Sequence, residues 1–154
     1  MLYLLALLIG VVAGLRAMTA PAAVAWGAYL GWLPLSGTWA GFMGHWIALA
    51  IFTVLALVEL IGDQLPSTPS RKVPVQFGTR LVSGAFAGAV IGTAGGTLIA
   101  GLVAGAIGAV IGTYGGAEVR AQLARTFGRD LPAALIEDAV AILLALWIVS
   151  AAVT

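Results

Sequence analysis

Hydrophobic residues along this chain gather into six runs: Met1 to Leu15, about Ala20 to Leu33, Gly44 to Gly62, Thr79 to Ala94, Thr97 to Gly115 and Ala133 to Val153. The third and sixth are long enough, as helices rising ~1.5 Å per residue, to cross a ~30 Å hydrocarbon core. The fourth and fifth form a nearly unbroken stretch that would reach ~55 Å as one helix. The Gly95-Gly96 pair between them predicts a turn, hence a tight helical hairpin. The first two runs are short for a crossing. Arg16 lies between them, and Pro21 suits the first turn of a new helix. They are either two short crossings or one crossing and a re-entrant half-helix. Irregular backbone at membrane depth persists only where protein buries it or where it lines water, so a break here marks a candidate site.

Composition gives the same picture. Of 154 residues, 62% are hydrophobic and 8% charged, against about 25% charged in an ordinary soluble domain. Such a chain cannot make a polar skin, and lipid removes the need for one. The length fits a single membrane domain spanning 1–154. Met1 to Leu15 lacks the basic start of a signal peptide and leads into Pro21, so it is expected to be a retained membrane segment. A net charge of +1 argues against a nucleic-acid partner, and the lack of cysteine excludes disulfides and thiol chemistry.

Positive charge is confined to alternate connections. Arg71, Lys72 and Arg80 lie in or beside the connection from Gln64 to Gly78; Arg120, Arg125 and Arg129 lie between Gly116 and Pro132. The connections at Pro34 to Met43 and at Gly95-Gly96 carry none. With six crossings every basic connection, Arg16 included, falls on one side, which the positive-inside rule makes cytoplasmic. With five, Arg16 is left on the other side. Trp26, Trp32, Trp39, Trp46 and Trp147 suit interfacial belts.

Glycines recur every four residues at Gly84, Gly88, Gly92 and Gly96, at Gly101 and Gly105, and at Gly108, Gly112 and Gly116. Residues four apart share a helix face. The stripes predict a glycine-zipper hairpin in which backbones approach closely, within the chain or between copies in a homo-oligomer.

Charges inside apolar runs require a reason, since an Asp, Lys or Arg at a helix centre costs ~2.5–3.5 kcal/mol on insertion. Glu59 and Asp63 share a helix face; Glu137 and Asp138 lie inside the last run; Arg16, Arg80 and Arg120 flank others. In the six-crossing arrangement all seven fall into one cytoplasmic-side layer. That layer is either a salt-bridged structural belt or an ion or solute site with carboxylates as ligands or proton carriers. No nucleophile–base pair, phosphate loop or multi-histidine metal site is visible. No cofactor is expected, and His45, the one histidine, is expected to be an interfacial polar residue. The proline-rich stretch Pro66 to Arg71 is read as a helix-stopping connector. A faint internal echo pairs Ile9-Gly10 to Arg16-Ala17 with Ile111-Gly112 to Arg120-Ala121.

The segments Gly14 to Pro21, Glu59-Leu60 to Pro69-Ser70-Arg71, the glycine-rich hairpin and Glu137-Asp138, taken in order, resemble the bacterial integral-membrane family called domain of unknown function 4126. The resemblance implies a small multi-helix membrane protein and carries no activity with it.

The expectation is therefore an all-α, polytopic membrane bundle of five or six short helices in the bacterial inner membrane. Its leading functional reading is a channel or transporter for an ion or small solute, using the carboxylate and arginine layer. The alternative is a structural or assembly protein that binds another membrane protein through its glycine faces. A lipid-modifying enzyme ranks last.

Overall fold

The apolar runs become helices, but several helices outrun them. The computed structural model describes residues 2–35, 37–62, 74–128 and 130–152. Its elements are α1 (Leu2–Leu15), α2 (Thr19–Tyr29), a 3-10 helix (Trp39–Gly44), α3 (Trp46–Gly62), α4 (Pro74–Ala94), α5 (Leu98–Phe127) and α6 (Asp130–Ala151). The described residues contain no strand. Two helices, Leu98–Phe127 and Pro132–Ala151, are long and apolar enough to cross a membrane, and Tyr3–Leu15 and Trp46–Ile61 are shorter apolar helices.

Two expected loops are corrected. α4 begins at Pro74 rather than Thr79, with a proline at the position where a missing N–H costs nothing. α5 does not stop at Gly115 but runs twelve residues further, to Phe127. The stretch after Gly116 is polar yet rich in Ala, Glu, Arg, Gln and Leu, all strong helix formers. Gly128, at φ 75°, ends the helix in the left-handed conformation that a side chain would oppose. Arg120 and Arg125 are therefore helical residues, not loop residues. Loss of hydrophobicity marked the edge of an apolar run, not the end of a helix.

Successive helices reverse direction. Gly84 faces Gly105 and Gly92 faces Thr97, so α4 and α5 are antiparallel. Gly10 faces Gly105 and Gly14 faces Thr113, so α1 runs alongside α5 in the same sense. Met18 meets Glu59 and Trp26 meets Thr53, which sets α2 antiparallel to α3. Arg16 meets Asp138 and Gly27 meets Val149, which sets α2 parallel to α6. The α1–α2 break, the end of α3, the start of α4 and the junction of α5 with α6 thus gather at one end. The 3-10 segment and the Gly95-Gly96 turn lie at the other, where Trp39 donates to Thr93 at 3.0 Å.

The glycines bring three helices into backbone contact. A Cβ on Gly88 would strike Gly101 and Gly105, and one on Gly105 would strike Gly84 and Gly88, so α4 and α5 touch through their main chains. Gly108 and Gly112 face Leu7, Gly10 and Val11 of α1, which makes α1 a second close partner of α5. Gly10 and Gly14, themselves four residues apart, complete that contact, a pair that the sequence reading did not count among the stripes. Gly96 is the exception among the expected packing glycines. Nothing lies near its Cβ position, and its φ of 77° serves the turn.

A side chain at these contacts must push helices apart. Gly105→Ala is expected to lower the stability of the purified protein by about 1–3 kcal/mol or more. Gly115→Ala, where nothing lies within 4 Å, is expected to be neutral or to stabilise by up to ~1 kcal/mol. Thermal unfolding of both variants in detergent micelles compares them directly.

Candidate functional site

The chain breaks between Leu15 and Thr19, and a break inside a bundle exposes peptide groups with no helical partner. Side chains from other helices meet them. At the end of α1, Arg80 NH1 of α4 donates to the Gly14 carbonyl at 3.0 Å. Arg16 NH1 donates to the Leu15 carbonyl at 3.1 Å, and the Ser83 hydroxyl of α4 donates to the Ala17 carbonyl. At the start of α2, Glu59 of α3 accepts from the Ala17 and Met18 N–H groups, each at 2.8 Å, one on each carboxylate oxygen. Met18 has no cap of its own. Glu59 supplies from another helix what an Asp or Ser cap supplies locally, and its charge suits the positive end of a helix. Pro21 contributes no N–H in that first turn, and Ala22 N–H closes on the Met18 carbonyl at 3.1 Å.

Arg16 itself is fully buried. Its Nε and NH2 both lie 2.5 Å from Asp138 Oδ1 of α6. Its NH1 is 3.6 Å from Glu137 Oε1, and Glu137 Oε2 is 3.6 Å from Arg120 NH1 of α5. Glu137 and Asp138 are adjacent, so they point about 100° apart around α6. Asp138 turns to Arg16, just beyond the end of α1, while Glu137 lies between Arg16 and Arg120 of α5. The faint sequence echo acquires a geometric counterpart, since Arg16 and Arg120 hold opposite oxygens of one carboxylate.

The structure brings together six of the seven expected layer residues: Arg16, Glu59, Arg80, Arg120, Glu137 and Asp138. Asp63 lies outside the described residues, as do Arg71, Lys72, Arg129 and the proline-rich connector. Three cations face three carboxylates, so the described cluster carries no formal net charge. Removing such charges from water is costly, and their pairing roughly offsets that cost rather than adding stability; losing one partner costs about 3–5 kcal/mol. Among the described residues no group of three or more His, Cys, Asp or Glu side chains is placed to hold a metal ion. His45 stands apart, exposed, accepting from Ile47 N–H at 3.2 Å ahead of α3.

Two residues at the break escaped the sequence reading. Ser83 sits three residues after Arg80 and so on nearly the same face of α4, which is the one signal that could have selected it. Thr19 is buried at the start of α2. Beside the break, a cavity of about 490 Å³ opens between α2, α3 and α4, with Met18, Thr79 and Ser83 on its wall. A second, of about 340 Å³, lies between α1, α5 and α6 next to Arg120 and Glu137.

The family described as Domain of unknown function (DUF4126) matches residues 3–154, nearly the whole chain, and the protein belongs to that family. No curated protein and no solved structure matches the chain.

Asp138→Asn removes the charge closest to Arg16 and is expected to destabilise the protein by about 3 kcal/mol. Glu118→Gln alters a carboxylate on the exposed side of α5, where the partner is Gln122 at 3.3 Å, and is expected to change stability by less than ~0.5 kcal/mol. Unfolding midpoints of the two variants measure the difference.

Proposed function

We propose that this member of the family is an integral membrane channel or transporter for a small ion or solute, with its working site at the α1–α2 break. The observation that carries the reading is the break itself: two short helices end in the protein interior, and side chains of α3, α4 and α6 converge on the gap. Discontinuous helices with exposed peptide groups are a recurrent way to build a solute site within a bilayer. The alternating helix directions and the exposed apolar surface, including Ile51, Val58, Ile99 and Leu143, support six traverses of a bacterial inner membrane. The basic end would face the cytoplasm. The close α4–α5 glycine contacts support the zipper reading of the hairpin.

In this reading Glu59 is the movable element. It holds the α2 N-terminus through two charge-assisted bonds, and the α2–α3–α4 cavity has Met18, one of the two residues so held, on its wall. Protonation of Glu59, or displacement of α3, would release those N–H groups towards the cavity. The test is solute flux into proteoliposomes, screening protons, monovalent and divalent cations and small anions. A saturable flux that falls roughly tenfold or more in Glu59→Gln, from protein that remains folded, supports the reading. Undiminished flux in that variant, or none for any species in the wild type, counts against it.

A second reading, assembly with another membrane protein or a second copy, is favoured by one different observation. The glycine faces are already taken up by α1, α4 and α5, but α3 packs chiefly on α2 and the 3-10 helix. It leaves Ile47, Ile51, Val54, Val58 and Ile61 exposed. The chain has no cysteine, so Val54→Cys introduces a single thiol. Oxidation in native membranes is expected to yield a covalent dimer if α3 forms a homo-oligomer face. A monomer throughout would remove α3 from that role.

A further inference from the structure

His45 joins two helices. Its N–H ends the 3-10 segment on the Phe42 carbonyl at 3.0 Å, and its own carbonyl accepts the first bond of α3, from Leu49 N–H at 3.1 Å. Its backbone is extended, at φ −83° and ψ 142°, and its Nδ1 accepts from Ile47 N–H at 3.2 Å. These are the marks of an N-cap, in a place where Ser, Thr, Asp or Asn is the usual residue. The hydrogen of that bond comes from Ile47, so Nδ1 must keep its lone pair, and the neutral ring carries its proton on Nε2. The cap therefore exists only while the imidazole is uncharged.

That cap holds a lightly anchored helix. α3 packs chiefly on α2 and the 3-10 segment. The 3-10 segment is itself fixed: Ala40 and Met43 are fully buried, Trp39 donates to Thr93 of α4, and Gly44 lies against Ala28 of α2. His45 is exposed at the joint between them, stacked on Trp46 with ring centroids 6.0 Å apart and planes at 29°. Among the described residues, no Asp, Glu, Lys or Arg lies at this end of the bundle, and the phenols of Tyr3 and Tyr29 are the only other titratable side chains there. The 3-10 segment brings none, α4 brings none at this end, and α2 brings Tyr29 alone. Imidazole is the side chain that ordinarily changes charge between pH 5 and 8, and here no counter-charge holds it in either form.

We propose that His45 is an acid-released clasp that fastens the N-terminal end of α3 to the 3-10 segment. Protonation places a hydrogen on Nδ1, so the ring can no longer accept from Ile47. It also sets a positive charge at the positive end of the α3 dipole. The stack on Trp46 survives, because indole attracts a cation, so the charged ring has a place to rest once the cap is broken. The first turn of α3 then loses the bond that orders it, and the joint between the two helices loosens as pH falls. In the transport reading α3 is the helix whose movement frees the α2 N-terminus, but the clasp does not rest on that reading.

The test is hydrogen exchange of the full chain in nanodiscs, read by mass spectrometry at pH 8 and pH 5 and corrected for the intrinsic rate at each pH. Protection of the Ile47 and Leu49 amides is expected to fall roughly fivefold at pH 5, while α4 and α5 stay protected and show that the chain remains folded. His45→Asn keeps a capping oxygen that does not titrate, and is expected to hold its protection at both pH values. His45→Ala has no cap and is expected to be poorly protected at both. Equal protection of the wild type at the two pH values overturns the proposal. So does a His45→Ala variant as well protected at pH 8 as the wild type, or a His45→Asn variant that loses protection at pH 5 as the wild type does, since the titrating group would then lie elsewhere. Exchange is read without any flux, so the clasp can fail while transport stands, and the reverse.

Discussion

A helix that ends inside a bundle must have its peptide groups met by something other than water, and this requirement organises the charged residues of the protein. Unpaired, each N–H or carbonyl buried at the α1–α2 break would cost about 1–3 kcal/mol. Five of them are met by Arg16, Glu59, Arg80 and Ser83. Each charge used for that purpose then needs a counter-charge or a peptide dipole of its own, and Asp138 and Glu137 supply it for Arg16. The cluster is best understood as the consequence of one broken helix rather than as independent salt bridges.

The other half of the architecture follows the opposite rule. Where the glycines of α1, α4 and α5 meet, backbones touch, so close contact there depends on glycine spacing rather than on charge. The two regimes meet at Gly14. It faces Ala109, Gly112 and Thr113 of α5 on one side, and its carbonyl accepts from Arg80 on the other. The glycine-packed trio holds α1 in place, and the charged layer holds its end.

Much of this was legible in the sequence because both rules leave sparse marks. A charge in an apolar run is conspicuous, and in the six-crossing arrangement, though not in the five-crossing one, alternation of basic connections puts Arg16, Glu59, Arg80, Arg120, Glu137 and Asp138 at one level. Which peptide groups they serve was not legible, because a carboxylate that caps another helix 41 residues away resembles one that binds an ion. Ser83 and Thr19 were hidden for a related reason. A hydroxyl within an apolar helix usually turns back on its own backbone, as Thr93 and Thr113 do here. The extensions of α4 and α5 were missed because hydrophobicity reports the environment of a helix, whereas its length is set by propensity and by the stop at Gly128.

The pairing of Arg16 with Asp138 joins residues 122 positions apart. A ribosome releases the N-terminus first, so α1 emerges with its guanidinium long before the carboxylate that neutralises it exists. The glycines of α5 that receive α1 also arrive late. Until α6 is made, Arg16 lacks the two carboxylates that pair with it in the folded chain, and until α5 is made α1 lacks its glycine partners. The final helix therefore acts as the latch of biogenesis. A chain truncated before Asp138 would contain every glycine contact among α1, α4 and α5 and still leave Arg16 without the carboxylates of α6.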